Sequence, residues 1–233
     1  MESSSASFRW PVFLRAGALV LRPLQKADEA AWDDIRNRNR AWLGTWDATP
    51  PPEAAPHRYT FADMVHNQQE AARNWRALPW ALTWDDGWPN SPTWPGGRPM
   101  RRSSLIGQVN VNGIAWGSAR SATIGYWIDQ RWAGRGLVPL GVALAADYCF
   151  QTLRLHRLEI DILPENGPSH RVVAKLGFSP DGGRRSVLHI NGAWRDHDAF
   201  VMTAEDAPAS LVDRILAGRP APVAEEISPN AGN

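Results

Sequence analysis

Arg131-Trp132-Ala133-Gly134-Arg135-Gly136 is the stretch on which the reading of this chain turns. Just before it, residues 121–128 (SATIGYWI) alternate in the manner of a strand, and just after it residues 137–153 (LVPLGVALAADYCFQTL) are apolar on most sides, as in a helix packed on a sheet. Glycines between a strand and a helix permit positive φ and close backbone approach. The first turn of the helix adds unpaired N–H groups and the positive end of its dipole, a combination that suits a phosphate or pyrophosphate. A dinucleotide fingerprint would need a third small residue near position 139, where Pro139 stands, and a triphosphate loop would need Lys followed by Ser or Thr, which is absent. The other reading of the two glycines is a turn that uses them for geometry alone.

Working outward, the spacing predicts a strand over 156–163, a short helix over 168–176 stopped by Gly177, and strands over 186–190 and 198–203. Upstream, 104–111 and 121–128 read as a hairpin, preceded by a strand at 80–84. Further back come a strand at 18–22, a helix over 27–42 with Asp28 near its start, a stop at Pro50-Pro51-Pro52, and a helix over 59–75. Residues 85–103 form a loop longer than the roughly 12–15 residues usual in a compact domain. The expectation is one α+β domain over 1–206. A short C-terminal extension over 207–233, one helix and then a tail of disordered composition, follows it.

Among 233 residues, 43% are hydrophobic and 21% charged, as in a globular chain, and the net charge of +1 gives no bulk attraction to nucleic acid or an anionic membrane. No apolar run reaches the roughly 18 residues of a membrane span. Cys149 is the single cysteine, which rules out an intrachain disulfide and a Cys-based zinc site. With an N-terminus that lacks secretory character, this reads as a cytoplasmic chain. Cys149 lies in the apolar helix with no adjacent His or Lys, so it reads as packing rather than as a nucleophile. His189 and His197, with Asp196 and Asp198, match no metal-ligand spacing and read as hydrogen-bonding groups; no metal is expected.

The glycine turn resembles the R/Q-x-x-G-x-G/A signature with which the GNAT superfamily of N-acetyltransferases holds the pyrophosphate of coenzyme A. Three downstream stretches resemble that superfamily's RimJ/RimL branch, which acetylates protein N-termini: His156-Arg157-Leu158-Glu159, Pro164-Glu165-Asn166-Gly167-Pro168-Ser169 and Val173-Ala174-Lys175-Leu176-Gly177-Phe178. Leu21-Arg22-Pro23-Leu24 and Trp194-Arg195-Asp196-His197 extend the likeness over about residues 19–204. It departs at Val138-Pro139, where the branch has Thr-Glu, at the long 85–103 loop, and at the acidic tail.

The resemblance implies a mixed, mostly antiparallel central sheet of about six to seven strands, flanked by helices and splayed at the acetyl-CoA site. It implies that Ile124, Tyr126, Trp127 and Ile128 offer backbone groups to the coenzyme arm. Arg131, Trp132, Ala133, Gly134, Arg135, Gly136 and Leu137 would take the pyrophosphate, Asn166 the pantetheine, and Ser169 the region of the sulfur. Glu159 becomes the first candidate general base, with Asp161 behind it; the plain alternative is a salt bridge to Arg157. Trp42, Trp46, Trp84, Trp88 and Trp94 fall where this family builds its acceptor groove, with core packing or loop anchoring as the alternative. Arg98, Arg101 and Arg102 read as solubilising charges on the loop. The implied reaction is direct acetyl transfer in a ternary complex to an acceptor protein N-terminus, such as that of a ribosomal protein, by a monomer or homodimer. Two rivals are a small amine acceptor, such as an antibiotic or polyamine, and a non-catalytic acyl-CoA-binding regulatory module.

Overall fold

Eight strands form one sheet in the order β1-β2-β3-β4-β5-β6-β8-β7. The computed structural model describes residues 9–54, 60–87 and 103–218. The strands are β1 (Leu14–Ala16), β2 (Leu19–Pro23), β3 (Leu78–Asp85), β4 (Ser103–Ala115), β5 (Ser121–Ile128), β6 (Arg157–Ile162), β7 (Ser179–Ile190) and β8 (Ala193–Thr203). Every neighbouring pair is antiparallel except β5–β6, which is parallel and runs only from Ser121↔Arg157 to Thr123↔Glu159. The α+β architecture is thus as expected, with one strand more than the upper expectation.

Helix α4 (Leu137–Asp147) covers one face of the sheet, where Leu21, Trp80, Leu82, Val109, Ile124 and Leu158 are buried beneath it. It approaches closely: a Cβ at Gly141 would stand 2.9 Å from Leu82 Cδ1 and 3.3 Å from Val109 Cγ2. The other face carries α1 (Glu29–Arg38) and α3 (Phe61–Arg73) over a smaller cluster of Leu24, Ile35, Val65, Ala81 and Leu105. Thr60 starts α3 with a reciprocal capping box to Asp63, one residue after Tyr59, which lies outside the described residues.

The helix expected over 27–42 is two helices, because Asn39 leaves helical geometry at φ −98°, ψ 14° and α2 (Arg40–Gly44) begins after it. The apolar run over 137–153 likewise changes character: α4 ends at Asp147 and Tyr148–Thr152 form a wider turn, in which the Leu153 amide donates to the Tyr148 carbonyl. Helix α5 (Gly167–Leu176) stops at Gly177, whose φ is 76°. Helix α6 (Leu211–Ala217) docks on α4 through Asp147, whose carboxylate accepts from Ser210 Oγ at 2.7 Å and from the Leu211 and Val212 amides at 2.8 and 3.1 Å. The tail expected beyond it lies outside the described residues. Among the described residues, no helix is long and apolar enough to cross a membrane.

Candidate active site

The two parallel strands part company after Thr123. From Ile124 to Ile128, β5 pairs only with β4, while Ile160 to Ile162 of β6 pair only with β8. An edge of β5 therefore opens in the middle of the sheet, where backbone N–H and C=O groups have no cross-strand partner on that side. The glycine turn lies at the C-terminal end of this edge.

The turn is held from below by one carboxylate. Asp129, 1% exposed, accepts from Arg38 Nη2 at 2.8 Å, Asn39 Nδ2 at 3.0 Å and both the amide and the guanidinium of Arg131 at 3.2 Å. Burial alone would raise its pKa; the bonds from Arg38, Asn39 and the Arg131 amide outweigh burial and hold the carboxyl below the usual carboxylate range. Asn39 Oδ1 in turn accepts the Gln130 amide at 2.9 Å. The α1–α2 break is therefore what clamps the start of the turn.

Gly134 and Gly136 hold φ of 76° and 71°, the left-handed region that glycine enters without strain. Gly136 is the N-cap of α4, so the amides of Leu137 and Val138 have no intrahelical acceptor. Pro139, in the same turn, removes one further donor. The Arg135 guanidinium lies over the Trp132 ring at 5.3 Å, and Trp132 packs on Trp84 with ring centroids 5.5 Å apart. Trp84 is thus buried in the core under the glycine turn, 5% exposed, where it offers almost no surface to a groove.

Across the opening, Asn166 caps α5 by accepting the Ser169 amide at 3.2 Å. Tyr126 faces this helix from β5. Its hydroxyl is buried and has no partner at hydrogen-bond geometry. Burial pushes the phenol pKa up to about 12, and the Ser169 hydroxyl is the polar group near enough to hold back part of that rise. The helices and strands thus bring Tyr126, Asn166, Ser169 and the glycine turn to one opening.

Glu159 lies on the opposite face of the sheet from α4. Arg157 Nε donates to its Oε1 at 2.7 Å and Arg184 Nη2 to its Oε2. Arg184 also reaches Asp161 at 3.0 Å, and Arg157 reaches Asp181 at 2.5 Å, giving a chain of alternating charges. The salt-bridge alternative is therefore realised, with Arg184 as a member that sequence spacing did not point to. Trp127 faces the same side, edge-on to Trp32 at 5.1 Å, with the Arg36 guanidinium 5.3 Å from its ring centre. Its indole N–H donates to Gln108 Oε1 at 3.2 Å, which also accepts from Asn110 Nδ2 at 3.3 Å and leaves Asn110 Oδ1 buried without a donor. The alternating polar residues in G-Q-V-N-V-N-G at 107–113 were the available signal for this polar strip.

Trp42 and Trp46 are half-buried on and just after α2. That segment is tied to the β7–β8 hairpin by Asn191 Nδ2, which donates to the Gly44 carbonyl at 2.9 Å, and by the Thr49–His189 contact at 3.0 Å. His189 and His197 are hydrogen-bonded as expected, His197 to the Arg195 carbonyl at 3.1 Å. Cys149 is fully buried and its thiol is pushed up by burial, which fits packing. Trp88, Trp94, Arg98, Arg101 and Arg102 lie outside the described residues.

A split sheet that ends in a clamped glycine turn, facing a capped Asn–Ser helix start, defines a class. The chain belongs to the acetyltransferase (GNAT) domain family, whose profile matches residues 18–179. Over 102 residues it is 39% identical to the probable N-acetyltransferase YjcK of Bacillus subtilis, covering 44% of this chain and 56% of that protein. Over 102 residues it is also 34% identical to the ribosomal protein uS5-alanine N-acetyltransferase of Escherichia coli, covering 44% and 53%. The chain thus spans about half the length of these curated relatives. The solved structure of Mycobacterium smegmatis RimJ in complex with CoA-disulfide superposes with a TM-score of 0.75 at 29% identity, over 90% of this chain and 95% of that one.

Proposed function

We propose that this chain is an acetyl-CoA-dependent N-acetyltransferase of RimJ/RimL type whose acceptor is the α-amine of a protein N-terminus. The observation that carries the reading is the opening between β5 and β6, with the glycine turn at one end and Asn166–Ser169 on its far side. The residues fit the coenzyme. Positive-φ glycines let phosphate oxygens approach the backbone, and the buried, unpartnered Tyr126 hydroxyl marks a polar place that the protein alone does not satisfy. When bound, acetyl-CoA supplies the acetyl thioester.

The chain's own residues do the rest. The amides from Gly134 to Val138 hold the pyrophosphate, and the free edge from Ile124 to Ile128 aligns the pantetheine arm by backbone hydrogen bonds, so the reacting carbonyl is fixed before the amine arrives. The Ser169 hydroxyl donates to the departing sulfur. Glu159 receives the amine proton through water. Arg157 and Arg184 each take one lone pair of its oxygens, and a carboxylate offers about four. Trp42 and Trp46 line the acceptor's path beside α2.

Support for an α-amine acceptor comes from the uS5-alanine acetyltransferase and the RimJ structure among the similar proteins. The test is mass spectrometry of products after acetyl-CoA is offered with a mixed pool of free-N-terminus peptides, polyamines and aminoglycosides. Acetyl on peptide α-amines is the expected result. Transfer confined to small amines would overturn the acceptor assignment, and coenzyme binding with no transfer would make the chain a binding module.

A further inference from the structure

Gly125 stands in the middle of β5, where neither the backbone nor the packing requires a glycine. Its φ is not in the left-handed region, and a Cβ built on it would meet nothing within 4 Å among the described residues beyond its chain neighbours. Gly107, on the neighbouring strand, shows the contrast: a Cβ there would stand 2.3 Å from the Trp127 carbonyl oxygen. A glycine inside a strand lowers stability relative to Ala, and it marks a bulge, a crowded backbone or a place where another molecule comes close. At Gly125 the first two are absent, since the β4–β5 register runs unshifted from Gly107 to Asn112.

Ile124 and Tyr126 belong to the α4 side of the sheet, so the missing side chain of Gly125 faces the other way, with Thr123 and Trp127. Thr123 makes the last pair with β6, opposite Glu159, and Gly125 is the first residue on this face beyond the point where the strands part. Across the other ladder it pairs with Asn110. The Trp127 indole can only donate, so it fixes Gln108 Oε1 toward itself at 3.2 Å, and this in turn fixes Asn110 Nδ2 toward Gln108 at 3.3 Å. The side groups around the open place are thus held in one arrangement.

We propose that Gly125 is a specificity-determining residue for the acceptor: the space left by its missing side chain takes the first side chain of the acceptor, on the face opposite α4. The proposal rests on the α-amine reading above. With the pyrophosphate at the glycine turn and the coenzyme arm running back along β5, the acyl group comes to the end of the free edge nearest Thr123, and Gly125 lies there. An amine attacking from the Glu159 face carries its α-carbon and first side chain over the strand at that point. A side chain at residue 125 would fill the same volume, so the discrimination is by size.

The test compares wild type, Gly125→Ala and Gly125→Val on peptides that differ only in their first residue, from Gly through Ala and Val to Leu. Ala and Val suit a strand with open space better than Gly does, so the thermal midpoints should equal or exceed that of wild type. CoA affinity by calorimetry should be unchanged, because the edge amides and carbonyls of β5 remain. Acceptor kcat/KM should fall roughly tenfold in Gly125→Ala and further in Gly125→Val, least for the peptide beginning with Gly and progressively more as the first side chain grows. An equal loss on every peptide, or no loss, would overturn the proposal. A loss of CoA affinity would assign the place to the coenzyme, and a lowered thermal midpoint would assign the glycine to the fold; either would overturn it. Failure of wild type to acetylate any of the peptides would instead overturn the α-amine reading itself.

Discussion

Gly134 and Gly136 are where single atoms decide the geometry of the proposed donor site. A Cβ at Gly134 would point into open space, so the cost of a branched side chain there is conformational, about 1–2 kcal/mol for left-handed backbone, and it falls on the turn that aims the amides. Gly134→Val and Gly136→Val should each weaken CoA binding at least about tenfold by calorimetry, with the thermal midpoint checked in parallel; unchanged affinity in folded variants would remove the turn from the site. Asp129 is the second decisive residue. Its folded pKa lies below the unfolded value, so its contribution is present above the unfolded pKa of 3.8 and is lost as pH falls through the folded value. Asp129→Asn should cost about 1.5–3 kcal/mol in urea unfolding at neutral pH, because the hydrogen bonds from Arg38, Asn39 and Arg131 lose their charged acceptor, and the deficit should shrink toward acid; an equal deficit at all pH values would mean that the charge is not what matters. At Glu159, Gln should lower transfer at neutral pH with CoA affinity intact and recover in part at high pH, where more amine is already neutral. A flat pH comparison with a lowered thermal midpoint would leave Glu159 a purely structural link between Arg157 and Arg184.

At the scale of elements, the strand–turn–helix unit from β5 to α4 was legible because period, glycines and apolar run agree within a few residues. The break between α1 and α2 was not, because Asn39 continues an acceptable helical pattern and only its distant partners Asp129 and Gln130 pull it out. β1 is three residues long, too short for any periodicity, and its omission accounts for the extra strand. Glu159 and Trp84 show the same limit from the other side: Arg184 is 25 residues from Glu159, and Trp132 is 48 from Trp84, so neither pairing has a local signature. α6 yields an element-scale prediction. Asp147→Ala frees the first turn of α6 from its acceptor and should destabilise the protein by about 1–2 kcal/mol while leaving CoA affinity unchanged, since Asp147 lies at the end of α4 remote from Gly136. A parallel loss of CoA binding would show that α6 holds the donor site itself.

For the whole molecule, the sheet is continuous at both ends and opens between β5 and β6, so the gap of the proposed site is set inside a rigid frame. The α4 face holds the glycine turn, Tyr126 and Ser169, while the other face holds Trp127, Gln108, Glu159 and the α1–α2 clamp. In the proposed reaction, donor and acceptor would meet through the gap rather than along one surface. The most direct measurement is a crystal structure of this chain grown with CoA. Pyrophosphate oxygens are expected against the amides of Gly134 to Val138, the pantetheine along the free edge of β5 from Ile124 to Ile128, and the sulfur within hydrogen-bond reach of Ser169. Coenzyme lying outside the β5–β6 gap, or no bound coenzyme at saturating concentration, would contradict it.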